Sequence, residues 1–320
     1  MEHVALSAPE RTGAEEFLSR FVLIVSAASM LGSGWVILSF LVVPTLRTFR
    51  HQLILGLGVS EFLAAFNVVI STGLNVSGSE IWSSSLEQFC NFNGFMAQTF
   101  VVQTDYWILS IGVCTYLILM DHTRAASWMQ NHRIILWCVP WSLSLLWAVL
   151  GLVIVGYGNT GGWCWFTSDR VRLLANFITR WAIIFVIMCI YTRLGLFLYR
   201  SHKAISSDHE VTLETLPTDP HHWQLLDIGH SSIRLHRSPQ SLKKVSFRMM
   251  IYPTVYAIIW VIPTVVRIHQ GTTGMRAPLA LDILEKICIM SQGLVDALIY
   301  GLNERSWSGW MERLRWIAWR

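Results

Sequence analysis

Apolar positions fall in long unbroken runs along this chain. Seven stretches, 21–43, 52–74, 89–119, 134–157, 173–199, 249–267 and 279–302, are mostly apolar. Each is long enough to cross a bilayer as a helix, which takes roughly 17–25 such residues. The first and fourth contain no charged side chain. The third, fifth and seventh carry charges and gain their standing from regular spacing and short connections. The pattern predicts an all-α membrane protein, a seven-transmembrane-helix bundle, in place of a soluble helical protein.

The polar intervals set the expected organisation. Residues 1–20 are polar, include Glu2, Glu10, Glu15 and Glu16, and read as an extracellular N-terminal segment. They lack the pattern of a cleaved leader, so the first run is expected to be an uncleaved anchor. Residues 21–302 form the seven-helix domain. Within it, 201–243 shows no sustained helical period and reads as a flexible third cytoplasmic loop with several Ser and Thr that a kinase could use. In 303–320, Trp307, Trp310, Met311, Leu314 and Ile317 recur at helical spacing. That segment is expected to be an amphipathic helix on the inner leaflet, with a short cytoplasmic tail.

Composition agrees with lipid as a partner. Hydrophobic residues make up 53% and charged residues 14% of the chain, against about a quarter charged in soluble domains. Sixteen tryptophans suit membrane interfaces. The net charge of +4 is small. No basic tail or zinc spacing is present, so neither nucleic acid nor metal is expected.

Lys and Arg gather where an inside C-terminus would put them, in the connections holding Arg47, Arg50, Arg124, Arg133, Arg200 and Lys203, in 234–248, and in the tail. Cytoplasmic loops collect these residues, so the N-terminus is expected outside. Cys90 then begins the third run and Cys164 follows the fourth, both on the oxidising side, where a bridge persists. Cys114, Cys138, Cys189 and Cys288 lie inside runs and read as small core residues. Asn75-Val76-Ser77 is a glycosylation sequon close to the membrane, so its use is open.

Charge inside the runs is costly and needs a partner or a water-filled space. Glu61, Asp105 and Asp296 are expected at similar depth as a polar core, sharing protons, a cation or contacts with Asn67, Gln103 and Gln292. Pro253 and Pro263 flank Trp260 in the sixth run and predict bends, as part of a switch or as fixed kinks. Near the outer face, Arg170, Arg172, Arg180, Arg267, Arg276 and Lys286 exceed Asp169, Asp282 and Glu285. Such an excess would favour an anionic ligand, with Arg180 and Lys286 the deepest candidates, while Asp169, Asp282 and Glu285 as local ion-pair partners, or lipid headgroups, account for each cation taken alone.

Several short runs together resemble cyclic-AMP-receptor-like G-protein-coupled receptors, particularly the fungal members. They are Leu57-Gly58-Val59-Ser60-Glu61-Phe62, Phe89-Cys90-Asn91-Phe92-Asn93-Gly94-Phe95, Gln103-Thr104-Asp105-Tyr106-Trp107, Gly161-Gly162-Trp163-Cys164-Trp165-Phe166, Tyr252-Pro253 with Trp260, and Gln292-Gly293 with Asp296-Ala297-Leu298-Ile299-Tyr300-Gly301. The resemblance implies an extracellular small-molecule ligand, cyclic-nucleotide-like or another signal, near Trp163, Trp165, Arg180 and Lys286. It implies a heterotrimeric G protein as inner partner, expected to contact Arg124, Lys243, Lys244 and Arg248, and it also implies the Cys90–Cys164 bridge. The inner end of the third run reads Asp121-His122-Thr123-Arg124 and lacks the Asp-Arg-Tyr motif of rhodopsin-like receptors. The chain is thus expected to be a plasma-membrane receptor without enzymatic activity or cofactor. A homodimer is left open. Two alternatives belong to other classes. The embedded acids suit a proton-coupled transporter, though no internal repeat appears. The run Leu281-Asp282-Ile283-Leu284-Glu285-Lys286 is similar to the retinal-bearing stretch of microbial rhodopsins, but Lys286 lies near the outer end.

Overall fold

The computed structural model describes residues 12–79, 81, 83–120, 122–214, 250–303, 310–312 and 315. Helix α1 spans Thr12–Val42, α2 Phe49–Val76, α3 Glu87–Leu119, α4 Thr123–Asn131 and α5 Arg133–Ile154. Strands β1 (Tyr157–Asn159) and β2 (Cys164–Phe166) follow. Helix α6 is continuous through Asp169–Arg172, a π-helical turn at Leu173–Ile178, and Thr179–Glu214. Helix α7 spans Met250–Thr273, and α8 (Leu279–Met290) and α9 (Gln292–Asn303) meet at Ser291. Helices α1, α2, α3, α5, α6 and α7 contain spans long and apolar enough to cross a membrane. The seventh run supplies α8 and α9, which together make the last crossing.

The helices are apolar outward and partly polar inward. On α1, Ser19, Ser26, Ser29, Ser33 and Ser39 are buried, while Ile24, Leu31, Leu38 and Leu41 are exposed. Lipid supplies no drive to bury leucine, so small residues mark the packed face because they let backbones approach. That face of α1 lies against α2, α8 and α9. Ser33 Oγ donates its proton to the Ser29 carbonyl at 2.8 Å, and Ser39 Oγ to the Trp35 carbonyl at 2.7 Å. The central helix is α3, packed on α2, α5 and α6. Trp147 Nε1 donates to Tyr106 Oη at 3.0 Å across α5 and α3.

Three elements depart from the expected boundaries. Helix α1 begins at Thr12, inside the stretch read as an N-terminal segment. Its first turns carry a Glu16–Arg20 pair at 2.5 Å, and Leu18 is fully buried. Helix α6 runs to Glu214, so 201–214 is helical where a loop was expected. No Gly or Pro interrupts 201–214, and Pro217 is the first breaker. The short α4 was not anticipated. Most of 303–320 lies outside the described residues; Trp310 Nε1 donates to Ser39 Oγ of α1 at 2.8 Å.

Helix α7 is interrupted at Trp260. Pro263 has no amide proton to offer the Ile259 carbonyl, so the ladder loses a rung there. The π-helical turn in α6 adds a residue to one turn, a feature that tends to sit at functional positions.

Candidate functional site

One end of the bundle carries β1 and β2, an antiparallel hairpin pairing Tyr157 with Phe166 and Asn159 with Cys164. The Cys90–Cys164 disulfide joins it to α3, with the two Cα atoms 5.4 Å apart. Gly161 sits in the turn at φ +90°, which a residue with a Cβ adopts only under strain. At Gly151 of α5, a Cβ would overlap the Phe166 ring. The hairpin therefore lies directly on the helices.

Polar contacts hold it on three sides. The Cys164 amide donates to Asn93 Oδ1 at 2.9 Å, and Asn93 in turn exchanges hydrogen bonds with Asn67 of α2. Ser71 Oγ and Asn75 Nδ2 both donate to the Gly162 carbonyl, at 3.1 and 3.5 Å. Trp165 Nε1 donates to Gln98 Oε1 at 2.7 Å, and Gln98 also pairs with Asn176 of α6. Trp163 and Trp165 are buried. Covered in this way, they do not line an open mouth.

Below this layer, Arg180 reaches the middle of the bundle and does not face the rim. Its Nε and Nη2 donate to the two oxygens of Asp105, at 2.8 and 3.0 Å. Nε also donates to Tyr256 Oη at 2.7 Å, and Tyr256 donates its own proton to Asp105. The guanidinium carbon lies 3.2 Å from the centre of a Trp260 ring, a cation–π contact. Both charged side chains are buried. Helices α3, α6 and α7 thus meet in one ionic cluster, beside the break in α7.

The three acids do not form one group. Asp105 is taken by Arg180, whereas Glu61 and Asp296 face each other with Gln292 alongside. Trp260 Nε1 donates to Gln292 Oε1 at 3.3 Å, which connects the two sets. Asn67 serves the hairpin, so of the three amides expected near the acids only Gln292 touches one among the contacts described. A cavity of about 30 Å³ lies among Ser29, Glu61, Thr104, Trp260 and Gln292. A buried water occupies at least roughly 10–15 Å³ by this measure, so the space suits water or a small ion.

The cations at the hairpin end are largely matched. Lys286 Nζ donates to Asp282 at 2.6 Å. Arg267 donates to Glu285 at 2.5 Å and to Gln270 at 2.7 Å, and lies 3.7 Å from Asp169. Arg172 lies 3.4 Å from Asp169 and donates to the Phe166 carbonyl at 2.5 Å. The excess positive charge expected at a mouth is therefore mostly cancelled. Arg180 and Lys286, the two candidate anchors for an anion, are paired in this structure. At the opposite end Arg124 is exposed on α4, while Lys243, Lys244 and Arg248 lie outside the described residues. Pro253 and Pro263 both face inward.

A seven-helix bundle closed by a disulfide-pinned hairpin, with an ionic cluster at its centre, defines a G-protein-coupled receptor, a multi-pass membrane protein and not an enzyme. Residues 17–205 match the family described as the G protein-coupled glucose receptor regulating Gpa2, and residues 237–309 match its C-terminal counterpart. The chain belongs to that family. It is 36% identical to the ascaroside receptor GPR2 of Arthrobotrys oligospora, across 99% of this chain and 95% of that one. It is 24% identical to the cyclic AMP receptor-like protein A of Dictyostelium discoideum, over 49% of this chain and 39% of that one. The fold is that of squid rhodopsin, with a TM-score of 0.70, 15% identity, and 96% and 87% of the two chains covered.

Proposed function

We propose that the chain is a plasma-membrane receptor with its hairpin end outside, that it binds an extracellular small molecule, and that it activates a heterotrimeric G protein from the opposite end. The family description names glucose, and the relative's name gives an ascaroside as its ligand. A nutrient or signal of that size is the ligand class for this chain. The concentration of Lys and Arg in 200–248 and the tail supports the orientation.

The observation that carries the mechanism is the Asp105–Arg180–Tyr256–Trp260 cluster. It ties α3, α6 and α7 together where Pro263 has weakened α7. A ligand that prefers a repacked cluster shifts a two-state equilibrium. The half of α7 holding Pro253 then moves away from α3 and opens a groove bordered by Arg124, with Lys243, Lys244 and Arg248 as expected contacts. The test is nucleotide exchange on a purified Gα subunit with the reconstituted receptor and a panel of glucose, ascarosides and cyclic AMP. Ligand-dependent exchange supports the reading. Proton-coupled uptake of a panel member into vesicles, without exchange, would replace it with a transporter.

A further inference from the structure

Two spaces in the bundle differ greatly in size. The cavity beside Glu61 and Trp260 holds about 30 Å³. Beside the hairpin, a cleft of about 860 Å³ lies between the end of α5, the start of α6 and the end of α7. Sites for small organic ligands run to about 300–1,000 Å³, a size that the cleft reaches and the inner cavity does not.

Its lining has two characters. Ile154, Val155 and Leu173 form an apolar wall. Gly271 presents no side chain, and only Leu173 would lie near a Cβ there. The lining also carries Asp169, whose carboxylate is taken up by Arg172 and Arg267, and hydrogen-bond donors without partners. Gln270 is 2% exposed with its Nε2 unbonded, and Arg267 is 4% exposed with its Nε unbonded. Buried donors of this kind are expensive unless something accepts from them. Charge points the same way. Arg172, Arg267 and Lys286 are matched by Asp169, Asp282 and Glu285. Arg170, exposed on the cleft, is left over from that balance.

Resting on the receptor reading above, we propose that this lateral cleft takes the ligand, and that the ligand is a soluble amphipathic anion. Its carboxylate sits on Arg170, with Gln270 and Arg267 donating to neighbouring oxygens. Its hydrocarbon part lies along Ile154, Val155 and Leu173. Arg267 holds Glu285 of α8 through Nη2, so an anion arriving at its free Nε shares the same positive charge and weakens the tie between α7 and α8. Occupancy thereby reaches the half of α7 that continues to Trp260.

The test uses the full chain in phosphatidylcholine nanodiscs and radiolabelled decanoate, with empty discs subtracted. Saturable binding is expected, with decanol and butyrate each binding far less. Arg170→Gln should weaken decanoate by about tenfold, the order expected when a charged hydrogen bond is lost. Gly271→Leu should abolish binding by filling the space, and Arg20→Gln, a distant surface cation, should change nothing. If Gly271→Leu does not fold, Val155→Trp fills the cleft from its other wall. Adding phosphatidylserine to the discs should not displace decanoate; displacement would make this a lipid site and overturn the proposal. Absence of saturable binding, or equal binding by Arg170→Gln and the filled variant, would overturn it too. Nucleotide exchange on Gα in the same samples separates the two readings. Binding without exchange keeps the cleft and sinks signalling through it. Exchange driven by glucose and indifferent to both substitutions keeps the receptor and sinks the cleft.

Discussion

A guanidinium at mid-membrane depth survives because a carboxylate meets it with both oxygens, and Arg180 has that partner in Asp105. Removing one member strands the other in a buried place, at a cost of about 3–5 kcal/mol. Asp105→Ala should therefore lower thermal stability sharply in detergent. Asp105→Asn combined with Arg180→Gln should recover much of it, since no lone charge remains; equal loss in single and double variants would contradict the pairing. Burial of Glu61, Asp105 and Asp296 was legible from their positions in apolar runs. Their grouping was not, because it depends on how each helix is rotated. Arg180 was expected on the outer side, as one of the two cations deepest below the rim. The helix starts at Asp169, which puts Arg180 about 16 Å along it at 1.5 Å per residue. A single arginine that deep is itself a demand for an acid, and that signal pointed at Asp105.

At the scale of elements, the seven apolar runs all became helices, since length and greasiness alone specify a spanning helix. The three-residue strands escaped notice because so few residues carry no alternation to read. The bridge across them was legible from the cysteines, and the turn from Gly161-Gly162. Cys164→Ser opens a covalent link between residues 74 apart in sequence. It should cost about 4 kcal/mol by the loop-closure relation, seen as a lower midpoint in thermal unfolding. Gly151→Ala pushes a methyl into Phe166, and overpacking of this kind costs about 1–3 kcal/mol. The two prolines of α7 predicted bends, and the interruption at Trp260 lies between them. Pro263→Ala returns the missing donor to Ile259. The stiffened helix should reduce ligand-driven nucleotide exchange by about tenfold, within the usual range of coupling between sites, while surface expression holds or improves. Unchanged exchange would make the bend a packing feature only.

For the whole molecule, an odd number of crossings puts the two termini on opposite faces. Epitope tags at either end, probed on intact and permeabilised cells, should give opposite accessibility; matching accessibility would remove the orientation and with it the outside position of the disulfide. The seven-helix class was readable from hydropathy because a bilayer imposes a single length scale on every crossing. What lies at each end was less readable, because loops obey local contacts and not that length. The helical stretch 201–214 belongs to that category; the acids that match Arg172, Arg267 and Lys286 were legible as a set, and which acid meets which cation was not.

Hairpin tips are ordinarily the parts of a protein that an immune system meets first. Here the tip points inward, with Thr160, Gly161 and Gly162 all covered, and a Cβ added to the last would touch Thr72 and Val22. An antibody raised against the synthetic peptide 158–166 should ignore the native receptor and stain denatured chain, so the same reagent would report, cell by cell, what fraction of newly made protein has matured.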